Sequence, residues 1–113
     1  MKLDHENLDV YKLSIEFLAW ALRVVNTLPR GESGLSKQFK EAAISVPLNI
    51  AEGAGRTSPI DRARCHAIAR GSALECGALV DVCAVAGHIS EREGEEGKNL
   101  LVRVVAMLSK MCR

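Results

Sequence analysis

The sequence predicts an all-α chain folded as an antiparallel, up-and-down four-helix bundle. Three observations carry this. Apolar residues recur at helical spacing in four successive blocks. Each pair of blocks is separated by a short stretch rich in Pro, Gly or Ser. The core supply is aliphatic rather than aromatic: 48% of the 113 residues are hydrophobic but only 4% aromatic. Short connections between helices imply antiparallel neighbours. At this length one domain is expected, spanning residues 1–113, with enough chain for one core.

The first helix is expected over 8–28, after a short lead-in. Leu8, Tyr11, Ile15, Leu18, Leu22 and Val25 repeat at three- and four-residue intervals, a coiled-coil-type seam. A second stripe, Val10, Leu13, Phe17, Val24 and Leu28, runs beside it, with Trp20 at its far edge. Two stripes are more apolar surface than one bundle core needs. Pro29-Arg30-Gly31-Glu32-Ser33-Gly34 then reads as a turn.

The second helix is expected over 35–54. Leu35, Phe39, Ala42, Ala43, Val46, Ile50 and Ala54 keep the helical rhythm through Pro47, so one helix kinked near Pro47 is expected rather than two. Ser45, Asn49 and Glu52 form a polar stripe at i, i+4 and i+7. Arg56 stands four residues after Glu52, within reach of an ion pair. Gly53 and Gly55 are read as the helix stop, glycine being suited to a left-handed C-cap.

A third helix is expected over 59–86. Ser58 is a good N-cap, Pro59 suits the first helical position, and Asp61 lies three residues after the cap. Cys65, Cys76 and Cys83 fall within ~20° of one another around the helix, with Ile68, Ser72 and Leu79 filling in. Their spacing along the axis is too long for a disulfide or for one zinc ion. They read as small buried hydrophobes of a reducing compartment. Ala63, Ala67, Leu74, Ala78 and Val85 lie opposite, a small-residue face that invites another helix or stands in solvent beside Arg70 and Asp81. The fourth helix, over 91–112, opens with a capping box of Ser90 and Glu93. Its stripe is Leu101, Val104, Val105, Leu108 and Met111, and Gly94 and Gly97 weaken its first turns.

Several pieces of this chain resemble the small "four helix bundle proteins", first noted as products of intervening sequences in bacterial 23S ribosomal RNA genes. The most specific is Ser45-Val46-Pro47-x-Asn49-Ile50-Ala51-Glu52-Gly53-x-Gly55-Arg56. Leu8-x-Val10-Tyr11 is similar to the family's opening, where Trp is commoner than Tyr. Ile68-Ala69-Arg70-Gly71-Ser72-Ala73-Leu74-Glu75 is similar to its third-helix run. The resemblance spans about residues 8 to 90. It implies an up-and-down bundle and a ring-shaped homopentamer. In one branch, the accessory proteins of diversity-generating retroelements, it implies work beside a reverse transcriptase and RNA.

Functional expectations are narrower. Net charge is +1, which argues for no overall attraction to nucleic acid or membrane. The first residues are charged and lack the apolar run of a signal peptide, and no stretch approaches the ~20 apolar residues of a transmembrane helix. A cytoplasmic protein with no membrane partner is expected. His5, His66 and His88 are scattered, and no nucleophile triad or phosphate loop is visible. Glu41, Glu52 and Glu75 are conceivable metal carboxylates, but the Glu-x-x-His pairs of di-iron bundles are missing. A non-enzyme without catalytic residues, metal or cofactor is expected. The stripe of Ser45, Asn49 and Glu52 is either a hydrogen-bonded strip between helices or the lining of an opening.

Charge is locally polarised. Residues 56–70 hold four arginines, Arg56, Arg62, Arg64 and Arg70, against Asp61, a surplus of three positive charges. Residues 91–96 hold four glutamates against Arg92. Repeated around an oligomer, the first segment becomes a basic belt able to hold a phosphate backbone, an adaptor for RNA or for a nucleic-acid-processing protein. Without that role, the chain is a purely structural or protein-interaction oligomer. In either case the surplus apolar surface of the first and third helices points to self-association.

Overall fold

A computed structural model describes residues 1–112. Four α-helices account for most of the chain: α1, Asp9–Thr27; α2, Ser33–Gly55; α3, Pro59–Val85; and α4, Glu91–Met111. Two short 3-10 turns, Asp4–Asn7 and Arg30–Glu32, precede α1 and α2. The expected bounds differ from these by two residues at most.

Each helix packs against its sequence neighbours, and α4 closes the square against α1, with no diagonal packing among the described residues. Cross-helix contacts run in opposite senses along two of these pairs. Glu32, Ser45 and Gly53 meet His88, Ser72 and His66 in turn, so α2 and α3 are antiparallel. Arg70 and Asp81 meet Ser109 and Lys98, so α3 and α4 are antiparallel as well.

Local chemistry sets the helix ends. Ser58 Oγ accepts the Asp61 amide at 3.4 Å, with Pro59 in the first turn. Ser90 and Glu93 form the reciprocal capping box at 3.1 and 3.0 Å. α3 stops at Gly87, whose φ of 79° is the one positive value among the described residues. The His88 amide donates to the Cys83 carbonyl and the Gly87 amide to that of Ala84, the paired bonds of a Schellman stop.

Three expectations need correction. Gly53 and Gly55 form no left-handed cap. Both lie inside α2, and its C-cap residue Arg56 is extended, with φ −79° and ψ 140°. Gly53 is buried instead, for a packing reason described below. Second, the coiled-coil-type seam of α1 is not the core face. The buried residues are Val10, Leu13, Ser14, Phe17, Trp20, Ala21 and Val24, while Ile15 remains 40% exposed. The neighbouring stripe won because it carries the bulky aromatic groups. Third, Ile68 does not fill in the cysteine stripe: it is 49% exposed, whereas Cys65, Cys76 and Cys83 are buried. Its position lies ~60° off the stripe, enough to swing it outward.

The core is aliphatic along most of its length and aromatic at one level. There Phe17 stacks on Trp20 at 5.6 Å, and Phe39 of α2 lies 6.5 and 6.4 Å from these two rings. Trp20 fits because Gly97 of α4 has no side chain. A Cβ there would stand 2.5–2.8 Å from three atoms of the indole ring. Pro47 is buried inside α2, and the helix continues past it as a single element. Its missing N–H leaves the Ala43 carbonyl without its usual partner one turn on.

Candidate functional site

The motif at the end of α2 divides into an inner and an outer half. Ser45 and Asn49 face α3. The Asn49 side-chain amide donates to the Ser45 carbonyl at 2.9 Å and to Ser45 Oγ at 3.0 Å. Ser45 Oγ in turn shares a 2.8 Å hydrogen bond with Ser72 Oγ. Asn49, Ser45 and Ser72 thus form a continuous hydrogen-bonded relay from α2 to α3. One turn on, buried Gly53 lets α3 approach: a Cβ there would lie 2.9 Å from His66 Nε2 and 3.1 Å from Cys65 Cβ.

His66, expected only as one of three scattered histidines, is buried. Its Nδ1 lies 3.4 Å from the Met111 carbonyl, so Nδ1–H is the donor. Its Nε2 is buried without a hydrogen-bond partner among the described residues. The signal was in the hairpin register. An antiparallel pair folded at Arg56–Ser58 brings residue 53 against residue 66. Neither residue alone announces the contact.

The outer half is charged. Glu52 and Arg56 form the expected ion pair, both about half exposed. The hydrogen bond that Arg56 donates to the Glu52 carboxylate, with a smaller contribution from Cys65, pushes its guanidinium above its ordinary pKa. Arg62 Nη1 donates to the Arg56 carbonyl at 3.1 Å and so ties the first turn of α3 to the end of α2. Arg64 is exposed. With Glu52, Arg56, Asp61, Cys65 and Ile68 it lines a pocket of about 220 Å³.

Arg70 stands apart. It lies ~120° around α3 from Arg64, and its Nε donates to Ser109 Oγ of α4 at 2.7 Å. Three of the four arginines therefore gather at one end, accompanied by two carboxylates, while the fourth joins α3 to α4. Glu41, Glu52 and Glu75 are all exposed, and among the described residues no three His, Cys, Asp or Glu side chains come together in a metal-holding arrangement.

A wider surface depression lies elsewhere, between α3 and α4. It is a groove of about 530 Å³ with a floor of small residues, Ala73, Gly77 and Ala78. Leu74 and Val102 stand on its walls, 50% and 66% exposed, and the Asp81–Lys98 ion pair closes one end. The α1–α4 side is different. Its groove of about 300 Å³ is lined by Glu16, Arg23, Glu96 and Arg103 beside Trp20. No described helix is long and apolar enough to cross a membrane.

These features define a class: a closed, antiparallel four-helix bundle whose polar motif braces one helix pair and whose apolar remainder lies on its surface. The model of the 23S rRNA-intervening sequence proteins matches residues 6–110, and the chain belongs to that family. A solved structure from Bacteroides thetaiotaomicron VPI-5482, described as a protein of unknown function from the S23 ribosomal protein family, superposes with a TM-score of 0.86. It is 22% identical, over 92% of this chain and 98% of that one, a likeness that establishes the fold. No curated protein matched the sequence.

Proposed function

We propose that the chain is a non-enzymatic, self-assembling bundle, a protein-interaction homo-oligomer without chemistry of its own. The observation that carries this is the apolar surface the single copy leaves open. Leu48 on α2, Leu74 and Val82 on α3, and Val102 on α4 are 48–66% exposed. Exposed apolar residues grouped on helix faces mark interaction surfaces, whereas scattered ones need no explanation. A ring of copies is the form the family resemblance implies, five being its expected number. Light scattering on the purified chain at micromolar concentration is expected to return the mass of several chains. A single-chain mass would overturn the reading.

A second reading is favoured by one observation. Arg64 is exposed and makes no hydrogen bond or ion pair among the described residues, at the end where Arg56 and Arg62 also lie. In an oligomer this end repeats and forms a basic surface for RNA, held through phosphates rather than bases. Arg70, committed to Ser109, contributes less. Binding to a structured RNA should then weaken steeply with salt and fall when Arg62 and Arg64 become Glu. Salt-insensitive binding, or none, leaves the protein-interaction reading alone.

A further inference from the structure

We infer that the α3–α4 groove is a binding site for a single-chain amphiphilic anion, a carboxylate head on an apolar tail. The inference goes beyond the assembly reading and does not rest on it. The groove is bounded at both ends by side chains that reach across from α3 to α4, and the two ends differ in charge. At one end Asp81 pairs with Lys98, so that end is neutral. At the other stands Arg70. It lies three, four and seven residues before Ala73, Leu74 and Gly77, on the side of α3 that borders the groove. Its contact, Ser109, follows Val105 and Ala106 by four and three residues on α4.

The charge at the Arg70 end is placed but not neutralised. Arg70 Nε donates to Ser109 Oγ at 2.7 Å, and Ser109 Oγ donates onward to the Val105 carbonyl at 2.8 Å. This chain fixes the guanidinium where the groove ends. It uses only the Nε–H. The N–H groups on the two Nη atoms meet no acceptor and no carboxylate among the described residues. A carboxylate accepts from such a pair of nitrogens in a fork, the strong form of this contact. Size agrees with charge. From Arg70 to Asp81 is eleven residues of helix, a rise of ~16 Å. An alkyl chain advances ~1.2 Å per bond, as the extended backbone does, so about ten carbons and a carboxylate fill most of that length. The tail then lies on Ala73 and Gly77, between Leu101 and Val105, apolar throughout. At about 530 Å³ the groove falls within the range of small-molecule sites.

Isothermal titration of the full chain with decanoate, below its micelle concentration, tests this. Decanol is the uncharged probe of the same length and decyltrimethylammonium the cationic one. Decanoate is expected to saturate at one per chain, and the cationic probe is expected not to bind. Arg70→Gln keeps a donor for Ser109 and removes the charge. It is expected to weaken decanoate about tenfold or more and to leave decanol unchanged. Arg70→Lys, charged but not forked, is expected to fall between. Gly77→Leu fills the floor and is expected to abolish binding of both. A Cβ there meets nothing nearer than Leu101 at 4.0 Å, and unchanged helical circular dichroism confirms that the variant folds. If Arg70→Gln weakens decanoate and decanol equally, or neither, the inference is overturned. Binding that survives Gly77→Leu overturns it too; if that variant also changes the mass of the assembly, the groove seats another copy instead. A single-chain mass with decanoate bound removes only the assembly reading. An assembled chain that takes up no decanoate removes only this inference.

Discussion

Two glycines in this bundle do the same geometric task with different partners. Gly97 of α4 makes room for Trp20 of α1, and Gly53 of α2 makes room for His66 of α3. At Gly97 the guest is a large apolar ring, 5% exposed, stacked on Phe17 and close to Phe39. At Gly53 it is an imidazole whose one hydrogen bond, to Met111, is long at 3.4 Å and whose other nitrogen has no partner among the described residues. The first contact is the tighter of the two: its three closest atoms lie at 2.5–2.8 Å, against 2.9–3.1 Å at Gly53. A missing side chain matters in proportion to how firmly its neighbour is fixed.

The largest expected effect comes from breaking the tighter contact. Gly97→Ala forces a Cβ to within 2.8 Å of three indole atoms, closer than atoms pack, so the rigid ring must shift as a whole toward the groove it borders. Overpacking of this kind costs about 1–3 kcal/mol, and the gain in helix propensity returns about 1. A net loss of up to about 2 kcal/mol is expected, read as a fall in the urea midpoint with an unchanged slope. Trp20→Leu in the same chain should recover part of it, so the double-mutant cycle should show coupling.

Gly53→Ala is expected to cost about 1 kcal/mol or less. Its closest contacts are 2.9–3.1 Å, and the imidazole can yield a few tenths of an ångström by giving up a weak bond. Equal losses at the two glycines would remove the distinction drawn between them.

A smaller effect lies outside the core. Hydrogen bonds from the Ser90 backbone and hydroxyl hold the Glu93 carboxyl below its ordinary pKa. Because the folded value is depressed, the stability this contact adds is present above the usual glutamate range and is lost as the pH falls through it. Glu93→Gln should therefore differ from wild type at neutral pH and converge with it in acid, in melting curves recorded at pH 7 and pH 3. The smallest perturbation is chemical. Burial pushes the Cys76 thiol to about 12 and raises that of Cys83. Neither should react with iodoacetamide at pH 8 while the bundle is folded, and both should label in urea.

The same contrast marks what was legible in the sequence. Helix ends were legible because capping is local: Ser58 with Pro59, and Ser90 with Glu93, announce themselves within four residues. The Glu52–Arg56 pair, four residues apart, was legible for the same reason. What needed the fold were contacts between helices. By itself Gly97 only weakens α4 and Gly53 only suggests a stop; Trp20 and His66, which they accommodate, come from other helices. The polar stripe is readable as a strip between helices, but its partner Ser72 falls on the cysteine stripe of α3. Likewise the four arginines form one charge run along the chain, and the 100° step of the helix sends Arg70 to α4. On α1 both stripes were visible, and only the partner helices decided which went inward.

The central claim is that the apolar surface left outside this bundle is an assembly surface. Sedimentation velocity on the wild-type chain beside Leu48→Asp, at one micromolar-range concentration, tests it most directly. The account predicts several chains for the wild type and one for the variant. The same single-chain boundary for both would contradict it.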